Sequence, residues 1–207
     1  MRIAKWILVG AVCAAVGCNG GSAEDKPVIG HGGEYAQVLA EAERLSREPL
    51  EKLTREEELT EEDKQALVKS AAQFQALVDY EPSKFAPYLA LGMIYRGIGN
   101  LEKAEQMLRQ CILNIPPSNE EAIHMTSAEA HYQLSRVLFD SGNYEQALAE
   151  ASTAVESHGD NPNYYFGKAS ALVQLNREKE AKEALKIALK LDPNHRLATG
   201  LQKLLNR

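Results

Sequence analysis

The chain repeats itself, and that constrains its fold more than any other feature. Tyr88, Leu91, Gly92 and Tyr95 are followed by Gly99-Asn100, then by Ala104, Leu108, Cys111 and Pro116. The same order returns as His131, Leu134, Ser135 and Leu138, then Gly142-Asn143, Ala147, Ala151, Ala154 and Gly159. It returns again as Tyr165, Lys168, Ala169 and Leu172, then Asn176, Ala181, Leu185, Ala188 and Pro193. Ala147 and Ala181 stand 34 residues apart, as do Pro82 and Pro116. A unit of this length cannot bury its own apolar face, so neighbouring units must stack into an elongated array.

Each position has a physical reason. The apolar residues recur at helical spacing, and no alternating strand pattern follows Tyr35. Gly92, Ser135 and Ala169 are small where a paired antiparallel helix must approach closely. Ala104, Ala147 and Ala181 are the reciprocal small residues on the second helix. Gly99, Gly142 and Asn176 end the first helices, where a left-handed backbone suits glycine or asparagine. Pro116 and Pro193 end second helices, because proline lacks the amide that another turn would need.

This pattern resembles the tetratricopeptide repeat. The resemblance covers about residues 61–193, as three whole repeats and one half. It implies an all-α fold, a right-handed solenoid of antiparallel helix pairs. There are departures. Ala104 to Ala147 spans 43 residues, and the excess lies between Pro116 and His131. It is expected to lengthen the loop or the start of the next helix, with Thr126 to Glu129 as a capping box. Lys168 stands where leucine is usual. The helix at 61–79 matches only the second half of a repeat, through Ser70, Phe74, Leu77 and Pro82.

The flanks follow from local signals. Tyr35 to Ser46 predicts a helix, and the acidic stretch Glu48 to Asp63 a solvated linker with some helix. Thr60 to Asp63 has the form of a capping box, opening a helix with Leu67, Ala71, Phe74, Leu77 and Val78 at helical spacing. Arg196 to Leu205 predicts a closing helix, with Leu197, Leu201 and Leu204 inward.

The amino terminus carries an export signal. Arg2 and Lys5 precede Trp6 to Ala15, which is apolar apart from glycine and too short for a permanent span. Ala15-Val16-Gly17-Cys18 resembles a bacterial lipobox, though leucine is usual where Ala15 stands. The resemblance implies cleavage after Gly17 and acylation of Cys18, hence a membrane attachment through lipid in the cell envelope, at the outer membrane rather than the inner. The alternative is an ordinary secretory signal cut nearby. Under the lipobox reading Cys13 is discarded and Cys18 modified, leaving Cys111 alone as a core thiol. The expected organisation is a signal peptide at 1–17, a lipidated tether at 18–34 and N-terminal helices at 35–82. Three repeats follow at 83–193, with the insertion near 117–126, and a capping helix at 194–207.

The net charge of −6, with no cationic cluster, argues against nucleic-acid binding. No catalytic motif is present, and neither a metal nor a cofactor is expected. His124 and His131 are too few ligands for a metal site. The resemblance implies that first helices present a peptide- or protein-binding face. On this chain that face comprises Leu89, Met93 and Arg96, then Tyr132, Arg136 and Phe139, then Phe166, Ser170 and Val173. The lysine and asparagine with which chaperone-binding members clamp a terminal carboxylate are replaced by Leu89 and Met93. The implied function is an anchored scaffold, adaptor or assembly factor. An accessory subunit of an envelope enzyme and a structural spacer are the alternatives.

Overall fold

The computed structural model describes residue 29, residues 34–55 and residues 57–206. The expected signal peptide, Cys18 and most of the expected tether, with His31, lie outside the described residues. Nine helices are present among the described residues: α1 (Glu34–Thr54), α2 (Glu61–Tyr80), α3 (Phe85–Gly97), α4 (Leu101–Asn114), α5 (Glu121–Asp140), α6 (Tyr144–Ser157), α7 (Pro162–Gln174), α8 (Glu178–Leu191) and α9 (Arg196–Leu205). They stack as antiparallel pairs in chain order, forming a tetratricopeptide-like solenoid.

The same loop closes three of the pairs. Asn100 donates to the Tyr95 carbonyl at 2.8 Å and Gly99 to Arg96 at 3.0 Å. Asn143 and Gly142 repeat this on Leu138 and Phe139, and Arg177 and Asn176 repeat it on Leu172 and Val173. This is the Schellman motif, which satisfies the last carbonyls of a helix and requires a left-handed residue. Gly99, Gly142 and Asn176 take that role, with φ of 81°, 79° and 58°.

Close approach is achieved where the small residues stand. A Cβ on Gly92 would lie 2.4 Å from Leu108 Cγ, so glycine is what lets α3 and α4 pack at this height. The interior is divided among stacked clusters with no common centre. Leu67, Leu77, Leu91 and Cys111 fill the first, Leu108, Leu134 and Leu138 the second, and Leu172, Leu185 and Ala198 the third.

Four local expectations are corrected. The helix predicted to end at Ser46 runs on to Thr54 through Pro49, which is buried. Proline inside a helix removes one hydrogen bond and costs about 3 kcal/mol. Burial of Ala42, Ser46 and Pro49, with Leu50 and Leu53 packed on the first cluster, offsets that cost. α1 is therefore a full partner to α2. Lys52 Nζ lies 2.9 Å from Asp63 near one end of the pair, Ser70 donates to the Ala42 carbonyl at 2.8 Å, and the Tyr35 and Tyr80 rings sit 6.2 Å apart at the other end.

The second correction concerns the insertion. It lengthens the helix itself: α5 has 20 residues against 13 in α3 and α7. Thr126 is thus inside α5, where its hydroxyl donates to the Ala122 carbonyl at 2.8 Å, so it cannot cap. Third, the acidic stretch is helical at both ends, leaving only a short connection before Glu61. Fourth, α9 turns Ala198, Leu201 and Leu205 inward, while Leu204 is 55% exposed. The two triplets share Leu201 and differ by one residue at their other positions, and packing against α7 and α8 decides between them. Thr60 and Asp63 do form the capping box, with bonds of 2.9 and 3.2 Å.

Candidate peptide groove on the inner face

Successive first helices touch one another, α1 to α3, α3 to α5 and α5 to α7, whereas successive second helices make no comparable contact. The array therefore curves with α1, α3, α5 and α7 on its inner side. The curl is enough for Arg196 Nη2 at the start of α9 to donate to the Arg55 carbonyl at 3.3 Å.

Leu89 and Met93 line a groove of ≈ 440 Å³ between α1 and α3. Its other apolar walls are Tyr35, Leu39 and Leu50 of α1, and Phe74 of α2 also borders it. Glu43, Arg47 and Lys84 bring charge to it. Lys84 is tied to Glu81 and lies 4.2 Å from the Tyr35 ring centroid. The α1 half of this groove was missed from sequence. Its signal was the spacing of Tyr35, Leu39, Ser46 and Leu50 on one helical face, of which Leu50 lies beyond the expected end of the helix.

Arg96 and Arg136 form a second grouping, at the C-terminal ends of α3 and α5. Arg96 Nε donates to Asp140 Oδ2 at 2.7 Å. Burial pulls the Arg96 pKa down, and the Arg136 charge adds to that, while Asp140 opposes it. The Arg136 guanidinium sits 5.6 Å from the Tyr132 ring centroid.

The remaining candidates are committed to packing in differing degrees. Tyr132 is only 8% exposed. Its ring lies 5.1 Å from that of Tyr164 and presses on Gly167, where a Cβ would stand 3.0 Å from Tyr132 Cε2. It wedges α5 onto α7 and is not offered to a partner, which corrects the expectation of an open Tyr132. Phe139 packs on the second cluster, with its ring 5.3 Å from Tyr144. Phe166 and Val173 pack on the third, and the Phe166 ring is 5.4 Å from His195. The Ser170 hydroxyl donates to the Phe166 carbonyl at 2.8 Å, within its own helix. All four remain partly exposed.

A second depression of ≈ 360 Å³ lies between α7 and α8, where Lys168, Lys179, Glu180 and Glu183 surround Tyr165 and Ile187. Lys168 is the residue that departs from the repeat pattern. His131 Nδ1 lies 2.6 Å from Glu150 Oε2, and His124 is exposed. No three His, Cys, Asp or Glu side chains converge among the described residues. Cys111 is fully buried, and burial pushes its thiol pKa up to about 12.

Two stretches, residues 86–116 and 132–196, match models of the tetratricopeptide repeat. No curated protein matches the sequence. Among solved structures, MamA from Desulfovibrio magneticus RS-1 (residue 41 to the end) superimposes with a TM-score of 0.59. It is 16% identical, over 80% of this chain and 84% of that one. The first tetratricopeptide domain of human RPAP3 gives 0.54, at 18% identity over 60% and 91% of the two chains. Bacillus thuringiensis PlcR, solved in complex with the peptide PapR7 and DNA, gives 0.53, at 17% identity over 84% and 73%. At such identities the likeness establishes the fold.

Proposed function

We propose that this chain, built of tetratricopeptide repeats, is a non-catalytic binding module that holds a protein segment on its inner face and is tethered to the bacterial envelope through lipid on Cys18. One observation carries the binding half of this reading: the α1–α3 groove is open, lined by Leu39, Leu50, Phe74, Leu89 and Met93, and large enough for several apolar side chains. Solvent-facing apolar surface in a concave setting is costly unless a partner covers it. PlcR, which shares the fold, was solved with a peptide.

The tether rests on Ala15-Val16-Gly17-Cys18 and the apolar run before it. No helix among the described residues is long and apolar enough to cross a membrane, so attachment in this reading falls to the lipid. Several buried acyl chains, at about 0.8 kcal/mol per methylene, give durable anchoring where one chain would not.

A photo-cross-linking residue placed at Met93, beside one at Lys190 on the outer side, tests the binding half in the bacterium that encodes the chain. Discrete adducts from position 93 that vanish with Leu89→Glu support the groove. Equal adducts from both positions argue for a spacer or a different face. Fatty-acid labelling and fractionation of wild type beside Cys18→Ser test the tether. Label and membrane association in wild type alone support it, and an unlabelled, soluble wild type removes it.

A further inference from the structure

We propose that a carboxylate of the bound segment seats between Arg96 and Arg136, one helical turn beyond the apolar groove, so that the protein selects segments in which an acidic residue follows the apolar anchors. This rests on the groove reading above and adds to it what the ligand must carry.

Met93 closes the groove on α3, and Arg96 is three residues further along the same helix face, a rise of about 4.5 Å. Arg136 stands on α5, the neighbouring first helix, close enough for its charge to act on Arg96. Arg96 is paired with Asp140, which stands four residues beyond Arg136 on α5. That carboxylate takes only the Nε edge of Arg96. A guanidinium has five N–H donors, and the bond to Asp140 uses one of those of Arg96.

Arg136 has no ion pair among the described residues. Asp140 is four residues along the same helix, yet Arg136 turns back toward the N-terminus and lies over the Tyr132 ring. A ring face is a weaker partner for a guanidinium than a carboxylate is. Among the described residues the cluster keeps one uncompensated positive charge, in a chain whose net charge is −6. Charge complementarity therefore points to an acidic group on the ligand. An extended segment advances about 3.3 Å per residue. The acid should stand one or two residues past the last apolar anchor.

The test uses the full-length chain in detergent and a positional-scanning library of acetylated, amidated nonapeptides, followed by anisotropy on a Glu/Gln peptide pair. The expected result is apolar selection at adjacent positions and Glu or Asp at one position beyond them, with the Glu peptide bound about tenfold tighter than its Gln twin. Arg136→Gln should bring that ratio close to one while apolar selection persists. Asp140→Asn, which removes the internal competitor, should raise the ratio. Equal binding of the Glu and Gln peptides, or a preference that survives Arg136→Gln, overturns the carboxylate seat and leaves the groove standing. A wild type that selects no peptide overturns both.

Discussion

Gly92 on α3 faces Leu108 on α4 so closely that a single added methyl would overlap the leucine, at 2.4 Å from its Cγ and 2.6 Å from its Cδ2. Leu108 is fully buried and cannot move aside without disturbing the second cluster. Gly92→Ala should therefore destabilise the fold by about 1–3 kcal/mol, the usual cost of overpacking. Leu108→Val in the same chain should recover part of that loss. Chemical denaturation of the single and double variants measures the coupling.

The three Schellman turns differ at the left-handed residue, and that difference has a sign. Gly99 and Gly142 sit at positive φ with open space where a Cβ would go. Their replacement by alanine meets no clash and pays only the left-handed backbone penalty, about 1 kcal/mol each. Asn176 at φ 58° already bears that penalty in part. Asn176→Gly should be neutral or stabilising by a few tenths of a kcal/mol, where Gly99→Ala is destabilising. Thermal melts of the two variants side by side decide it.

Lys52 and Asp63 join α1 to α2 where the capping box closes. Hydrogen bonds from Lys52 and from the Thr60 amide hold the Asp63 carboxyl below the usual carboxylate range. A depressed folded pKa means that Asp63 contributes stability above about pH 4, and that the contribution is lost as pH falls through its lower folded value. Circular dichroism through an acid titration should show wild type losing stability there more steeply than Asp63→Asn. Thr60→Ala, which removes one half of the box, should cost about 1 kcal/mol at neutral pH.

Cys111 offers a probe of the first cluster. With its pKa pushed up to about 12 and its side chain fully buried, the thiol is neutral at pH 8 and out of reach. In a Cys13→Ser/Cys18→Ser chain, a thiol reagent should label Cys111 only after denaturation. Because the folded pKa exceeds the unfolded one, near 8.5, alkaline pH above that value should favour unfolding. Rapid labelling in the folded state would show that the α3–α4 pair opens readily.

Some features were legible because the residue type admits few roles. A glycine or asparagine at the end of an apolar helical stripe points to a left-handed turn, and Gly99, Gly142 and Asn176 each form one. Thr60 with Asp63 announces a cap, and the cap is present. Local chemistry misled where tertiary packing outweighed it. The first helix was expected to end at Ser46 and Thr126 to start α5, yet α1 runs on to Thr54 and Thr126 lies inside α5. The groove was half legible for the same reason. Leu89 and Met93 were placed on the inner face by analogy with the repeat and line the groove, while Tyr35, Leu39 and Leu50 of the opposing wall belong to a helix outside the matched repeats, and Leu50 lies beyond its expected end.

The sequence by itself determined the class of architecture, the helix pairing and the turns, because a periodic order of large and small residues has one economical way to bury itself, in stacked pairs. It did not determine which inward-leaning side chains stay open. Tyr132 and Arg136 lie one turn apart on α5 and look equally available in the pattern. Only the stacking of α7 against α5 covers the tyrosine and leaves the arginine over its ring. Exposure depends on how close neighbouring helices come and how far the array curls, and those are set by contacts summed across the whole stack.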